Sequence, residues 1–104
     1  MSRYQFTPQA SYDLFEIWRY IAQDSVEAAN RVEEAVHRAC AFLAGGPLRG
    51  SKREDITKLP VRFWTVQAFP NYLIVYDPHS DPLQVIRILH GRRDLLAILG
   101  EGKP

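Results

Sequence analysis

The sequence predicts an α+β fold: an N-terminal strand, an α-helical hairpin packed on an antiparallel sheet of three to four strands, and a short C-terminal helix. Three observations carry this prediction. Two apolar stripes at helical spacing follow one another before residue 45, broken only at Asp24-Ser25. Gly45-Gly46-Pro47 then closes the helical region. Three β-rich runs follow, separated by Pro70-Asn71 and by Asp77-Pro78-His79-Ser80-Asp81-Pro82. At 104 residues, one domain spanning 1–104 is expected.

Each element has a local reason. Arg3 to Phe6 places Tyr4 and Phe6 on one face, as in a short strand. Thr7 is a good helix N-cap, and Pro8 suits the first helical position, where its missing N–H is no loss. Ala10, Leu14, Ile17, Trp18 and Ile21 form one stripe, leaving Asp13, Glu16, Arg19 and Gln23 outward, and the helix ends near Gln23. Asp24 followed by Glu27 resembles a capping box, so a second helix begins at once. Its buried stripe is Ala29, Val32, Val36, Ala39, Cys40 and Leu43, with His37 outward and solvated. The short connection makes the pair an antiparallel hairpin. Glycine at its end is expected to relieve a left-handed position.

Leu48 to Val61 reads as an exposed polar connector. Arg62 to Phe69, Tyr72 to Tyr76 and Leu83 to His90 read as strands of an antiparallel meander. The last strand has Ile86 and Ile88 on one face, and Leu83, Val85 and Leu89 on the other, interrupted by Arg87. Both faces of the sheet are therefore apolar, and the one that the helices leave open needs another cover. Asp94 caps a terminal helix containing Leu95, Leu96, Ile98 and Leu99, which Gly100 ends.

Composition excludes several classes. Hydrophobic residues make up 46% and charged residues 24%, which excludes a disordered chain. A single cysteine, Cys40, excludes an internal disulfide and reads as a buried thiol. Neither His37 nor His79 has partners at metal-ligand spacing, so no metal and no cofactor are expected. No apolar run reaches membrane length and Met1-Ser2-Arg3-Tyr4 has no apolar signal core, so a cytoplasmic location is expected. Residues 1–44 carry four arginines against six carboxylates, a net −2. Residues 45–104 carry nine Arg and Lys against six carboxylates, a net +3. The second half is the side for an acidic partner, although so small an asymmetry is also what a solvated surface shows.

The stretch from Val85 to Leu99 concentrates polar groups at the junction of two apolar elements: Arg87, His90, Arg92 and Arg93 around Gly91. Its Arg87-Ile88-Leu89-His90-Gly91-Arg92-Arg93-Asp94 run joins four other motifs. They are Phe6-Thr7-Pro8-x-Ala10, Asp13-Leu14-x-x-Ile17-Trp18-x-Tyr20-Ile21, Pro47-x-x-Gly50 and Tyr72-Leu73-Ile74-Val75-Tyr76. In this order and spacing, over nearly the whole chain, they resemble the RelE/ParE superfamily of bacterial toxins, and the ParE branch most closely. The resemblance implies the toxin of a type II toxin–antitoxin system, in a hetero-oligomer with a ParD-like antitoxin whose tail wraps the hairpin and sheet. The spare aromatic residues Trp18, Trp64, Tyr72 and Tyr76 are the expected antitoxin contacts.

Three activities follow from the resemblance. Characterised ParE-like toxins act on DNA gyrase and block replication; here Arg87, His90, Arg92 and Arg93 would contact an acidic protein surface or DNA phosphate. RelE-like relatives cleave messenger RNA on the ribosome, which needs an acid, a base and cations around the phosphate. His90, Arg87 and Arg62 are the alternative catalytic set. Against it, Gly91 follows His90, no tyrosine follows Tyr76, and a net charge of +1 is low for a ribosome ligand. The third reading is a fold that retains only antitoxin binding. For Arg87 a structural reading stands beside the functional one: pairing with a carboxylate inside the fold.

Overall fold

The computed structural model describes residues 3–91 and Asp94. Strand β1 (Tyr4–Phe6) leads into helix α1 (Pro8–Ala22) and helix α2 (Val26–Ala44). A single 3-10 turn at Pro47–Arg49 precedes strands β2 (Arg62–Thr65), β3 (Tyr72–Asp77) and β4 (Leu83–His90). The strands form one sheet in the order β1-β4-β3-β2. The meander β2-β3-β4 is antiparallel, as expected, whereas β1 pairs parallel with β4, so the sheet is mixed. The helical hairpin carries the chain from β1 back to the same end of the sheet, and that return makes the pairing parallel. The terminal helix expected from Asp94 to Leu99 lies outside the described residues, Asp94 apart.

The helix starts are set by local chemistry. Thr7 Oγ1 accepts from the Ala10 amide at 3.1 Å, and Pro8 occupies the first helical position. At α2 the cap is Ser25, not Asp24: Ser25 Oγ accepts from the Ala28 amide at 3.1 Å. A cap must sit one residue before the first helical φ/ψ, and α1 runs on to Ala22 with Gln23 as its C-cap, which places Asp24 in the turn. Gly45 ends α2 in right-handed geometry (φ −78°), so the left-handed relief expected there is not used.

The hairpin buries Ala10 and Leu14 of α1 and Val32, Val36, Cys40 and Leu43 of α2 against Ile74, Tyr76, Leu83, Val85 and Ile88 of the sheet. Burial pushes the Cys40 thiol pKa up to about 12, so it stays protonated. A second cluster, Val61, Phe63, Val75 and Leu89, occupies the opposite face. Ile56 of the polar connector packs on it, so this chain supplies part of that face's cover. Ser51 also bridges to Phe63 beside β2.

Two expectations on strand geometry change, and one on a side chain of α2. Strand β2 stops at Thr65 because Val66 to Asn71 is taken up by a turn: the Val66 amide donates to Tyr72 O and the Phe69 amide to Val66 O. The alternation expected in β4 is broken by a bulge. Tyr76 faces Val85 while Val75 faces Arg87, which leaves Ile86 as an extra residue. Ile88 thereby joins Leu83 and Val85 in the helix-side core, and Ile86 packs with Leu89 on the other face. His37, expected to point into solvent, is half-buried: it shares a 2.8 Å hydrogen bond with the Tyr4 hydroxyl and stacks on Phe6 at 5.3 Å.

Candidate functional site

The end of β4 is held by α1. Asp13, expected to point outward, instead turns toward the sheet. Its carboxylate accepts from Arg87 Nε at 2.7 Å, Arg87 Nη2 at 3.0 Å and the Ile88 amide at 3.1 Å. The side chains are 9% and 19% exposed for Asp13 and Arg87. Taking away one partner of so sheltered a pair costs on the order of 3 kcal/mol, because the other charge is left in a poorly solvated place. Arg87 therefore follows the structural reading. Its guanidinium binds α1 through Asp13.

Beyond Ile88 the chain reaches His90, which is exposed. The His90 amide donates to Asp94 Oδ2 at 2.9 Å, and its ring meets Tyr72 edge-on at 5.2 Å. Gly91 then turns the chain with φ +64°, a conformation that favours glycine, and its amide donates to Asn71 O at 2.6 Å. Arg92 and Arg93, the other two expected contact residues, lie outside the described residues. His90 lines a groove of about 400 Å³ between α1 and the sheet, together with Tyr12, Ile17, Tyr20 and Tyr72. Tyr12 and Tyr20 are 58% and 74% exposed. Burial, and then the neighbouring Tyr20, push the Tyr72 hydroxyl pKa up.

The alternative catalytic set is not brought together. Arg62 pairs across the sheet with Tyr76, and His90 with Tyr72, so they stand at opposite ends of β3 and on opposite sides of it. Strand geometry separates their backbones by roughly 13 Å along the strands and roughly 10 Å across them. Arg62 is engaged where it stands, donating from Nη1 to Gly50 O at 2.7 Å. Among the described residues no three His, Cys, Asp or Glu side chains cluster as metal ligands.

The four aromatic residues expected to meet an antitoxin separate into different environments. Trp18, expected on the buried stripe of α1, lies partly exposed, donating from Nε1 to Asn30 Oδ1 at 2.9 Å. It borders a groove of about 1140 Å³ with Phe15, Tyr4, Phe6 and His37. Trp64 borders a second groove, of about 260 Å³, beside Phe42, their rings 5.4 Å apart. Tyr72 borders the His90 groove. Tyr76 is a correction, because it is fully buried and spends its hydroxyl inside the fold, donating to Pro47 O at 2.6 Å and accepting from the Gly50 amide at 2.9 Å. Sequence reasoning passed over Phe15, Phe42, Tyr12 and Tyr20. A signal was present in three of them: Tyr12, Phe15 and Tyr20 are bulky apolar residues that fall off the buried stripe of α1.

A helical hairpin laid across a four-stranded sheet, entered by a short N-terminal strand, places the molecule in the RelE/ParE-like class of α+β proteins. The family description "ParE toxin of type II toxin-antitoxin system, parDE" matches residues 4–95, and the chain belongs to that family. Toxin ParE3 of Caulobacter vibrioides is 30% identical over 106 residues, covering 97% of this chain and 98% of its own. A solved structure of the chromosomal ParDE TA system from P. aeruginosa shares the fold with a TM-score of 0.69. Its identity is 20%, and the match covers 88% of this chain and 98% of that one.

Proposed function

We propose that this ParE-family toxin is a cytoplasmic inhibitor of DNA gyrase, held inactive by a ParD-like antitoxin. The working surface is the corner after β4, with His90 and the Arg92–Arg93 pair contacting gyrase or the DNA phosphates it holds. Arginine suits both targets through its planar, bidentate fork. One observation carries the choice of target. The groups that a ribosome-dependent ribonuclease would gather around a phosphate are dispersed, with Arg62 and His90 at opposite ends of β3 and Arg87 bound to Asp13. The antitoxin would cover the grooves marked by Trp18 and Phe15, by Trp64 and Phe42, and by Tyr72. These are the exposed or half-exposed aromatic residues that interfaces favour.

The test is a supercoiling assay with purified gyrase, beside a ribosome-programmed mRNA cleavage assay on the same toxin preparation. Blocked supercoiling with intact message is the expected result. Replacing Arg92 and Arg93 together with Ala should abolish the block while antitoxin binding persists; a retained block would remove that corner from the mechanism. Cleaved message with unaffected gyrase would overturn the proposal in favour of a nuclease. Neither effect would leave a protein that only binds its antitoxin.

A further inference from the structure

We infer that Asp13 is the positioning residue of the basic corner: it substitutes for a missing strand and fixes the direction in which β4 delivers His90. The inference rests on the corner's proposed role and adds the group that holds it in place. Strand β1 is three residues long and pairs with β4 only from Leu83 to Val85. The bulge at Ile86 follows immediately. From there on, the side of β4 away from β3 has no strand beside it among the described residues. Its backbone groups are satisfied by side chains at the start of α1. Thr7 Oγ1 donates to Ile86 O at 2.9 Å, and Asp13 Oδ2 accepts from the Ile88 amide at 3.1 Å. A strand end left unpaired would be free to twist or slip.

The chemistry requires a carboxylate. Asp13 takes two bonds from Arg87, one from Ile88 and one from Gln9 Nε2 at 3.1 Å. Every partner is a donor, and only an ionised carboxylate accepts on both oxygens without offering a hydrogen of its own. An amide of the same shape would turn an NH2 group against either the guanidinium or the Ile88 amide. From Ile88 the corner is two residues away. The next fixed backbone donors are His90, held by Asp94, and Gly91, held by Asn71. Asp13 is the one of these three anchors that comes from the helical hairpin, so it sets His90 relative to α1 and its exposed tyrosines.

The experiment compares wild type, Asp13→Asn and Asp13→Glu in the full chain by amide hydrogen exchange, by NMR of the His90 ring and by growth arrest at matched protein level. In Asp13→Asn the Ile88 amide should exchange about tenfold faster, the gain expected when a charge-assisted hydrogen bond is lost. The His90 resonances should shift and growth arrest should fall, while circular dichroism still reports the native fold. If Asp13→Asn does not fold, Asp13→Glu decides, since it keeps the charge and displaces it by one methylene. It should shift His90 and weaken arrest. Wild-type exchange and wild-type His90 resonances in the variant that folds would overturn the inference. Failure of the gyrase reading looks different. In that case wild type leaves supercoiling intact, yet Asp13→Asn still moves Ile88 and His90. If wild type blocks gyrase and the Asn variant blocks it equally, the corner does not depend on Asp13 and the positioning role falls.

Discussion

The two ends of β3 carry the same kinds of residue and use them in opposite ways. At one end Tyr76 is buried, its hydroxyl bridging Pro47 O and the Gly50 amide, while Arg62, on the neighbouring strand β2, donates to Gly50 O. At the other end Tyr72 is half exposed, His90 packs edge-on against it, and Tyr12 and Tyr20 stand beside them in an open groove. Tyrosine and a basic side chain thus build a clasp at one end and a presentable surface at the other. The difference lies in which described segment packs over each end. The Pro47–Gly50 turn folds over Tyr76 and supplies backbone partners for its hydroxyl and for Arg62 Nη1, whereas Arg62 Nε is buried without a hydrogen-bond partner. At the Tyr72 end Gly91 turns the chain with φ +64°, and Asp94 accepts from the His90 amide and lines the same groove. Residue type alone does not set the environment: among the described residues a turn closes over Tyr76, while Tyr72 stays half exposed.

The sharpest way to break the closed end is Gly50→Ala. A Cβ at Gly50 would lie 2.5 Å from Tyr76 Oη and 2.8 Å from Phe63 O, and the second of these is backbone that cannot swing aside. Gly50 has ordinary extended dihedrals (φ −74°, ψ 170°), so the objection is close approach and not strain. The expected loss is about 3 kcal/mol, the upper range for overpacking, read as a fall in the urea midpoint. An unchanged midpoint would mean that the turn does not close on Tyr76.

Tyr76→Phe comes next. It removes one hydroxyl and leaves Pro47 O and the Gly50 amide unpaired, so about 2 kcal/mol should be lost near neutral pH. The size of that loss depends on pH in a defined direction. Burial, opposed by the Gly50 hydrogen bond and by nearby Arg62, raises the Tyr76 pKa above its ordinary 10.0. The protonated hydroxyl therefore contributes fully below pH 10, and that contribution fades as pH climbs through the higher folded value. Wild type and Tyr76→Phe should keep a constant gap below pH 10 and converge in stability as pH rises above about 10. A gap that widens over this range would contradict the clasp.

These two sites also show what was and was not legible in the chain. Thr7-Pro8 announced the start of α1 because capping is decided within four residues, and the Gly45-Gly46-Pro47 stop is equally local. Five of the six residues expected on the stripe of α2 are buried, because helical spacing leaves one solution; Ala39 is half-buried and Ala35 joins the core in addition. Asp13 was misplaced because it borders the stripe of α1, and its partner lies 74 residues away on β4. No local pattern encodes that pairing. The bulge at Ile86 was invisible for a related reason: strict alternation is the only signal a strand gives, and one inserted residue inverts it without altering composition. Tyr76 was read as spare because aromatic residues in a β run look alike until a loop arrives over one of them. Of the expected basic corner, the structure gives Arg87 to the scaffold and His90 to the surface, and Arg92 and Arg93 lie outside the described residues.

The smallest effects belong to the open end, and their smallness is the point. Tyr72→Phe keeps the ring against His90 and removes only the hydroxyl, and His90→Ala removes an exposed ring. Each should change stability by less than about 0.5 kcal/mol, as surface substitutions generally do, because neither side chain supplies a buried backbone partner. His90 holds its place through its main-chain amide on Asp94, a bond that alanine retains. The same His90→Ala protein should lose growth arrest at an unchanged urea midpoint if the corner is a contact surface. A drop in midpoint comparable to that of Tyr76→Phe would make the two ends of β3 equivalent, and the contrast between clasp and surface would then have no basis.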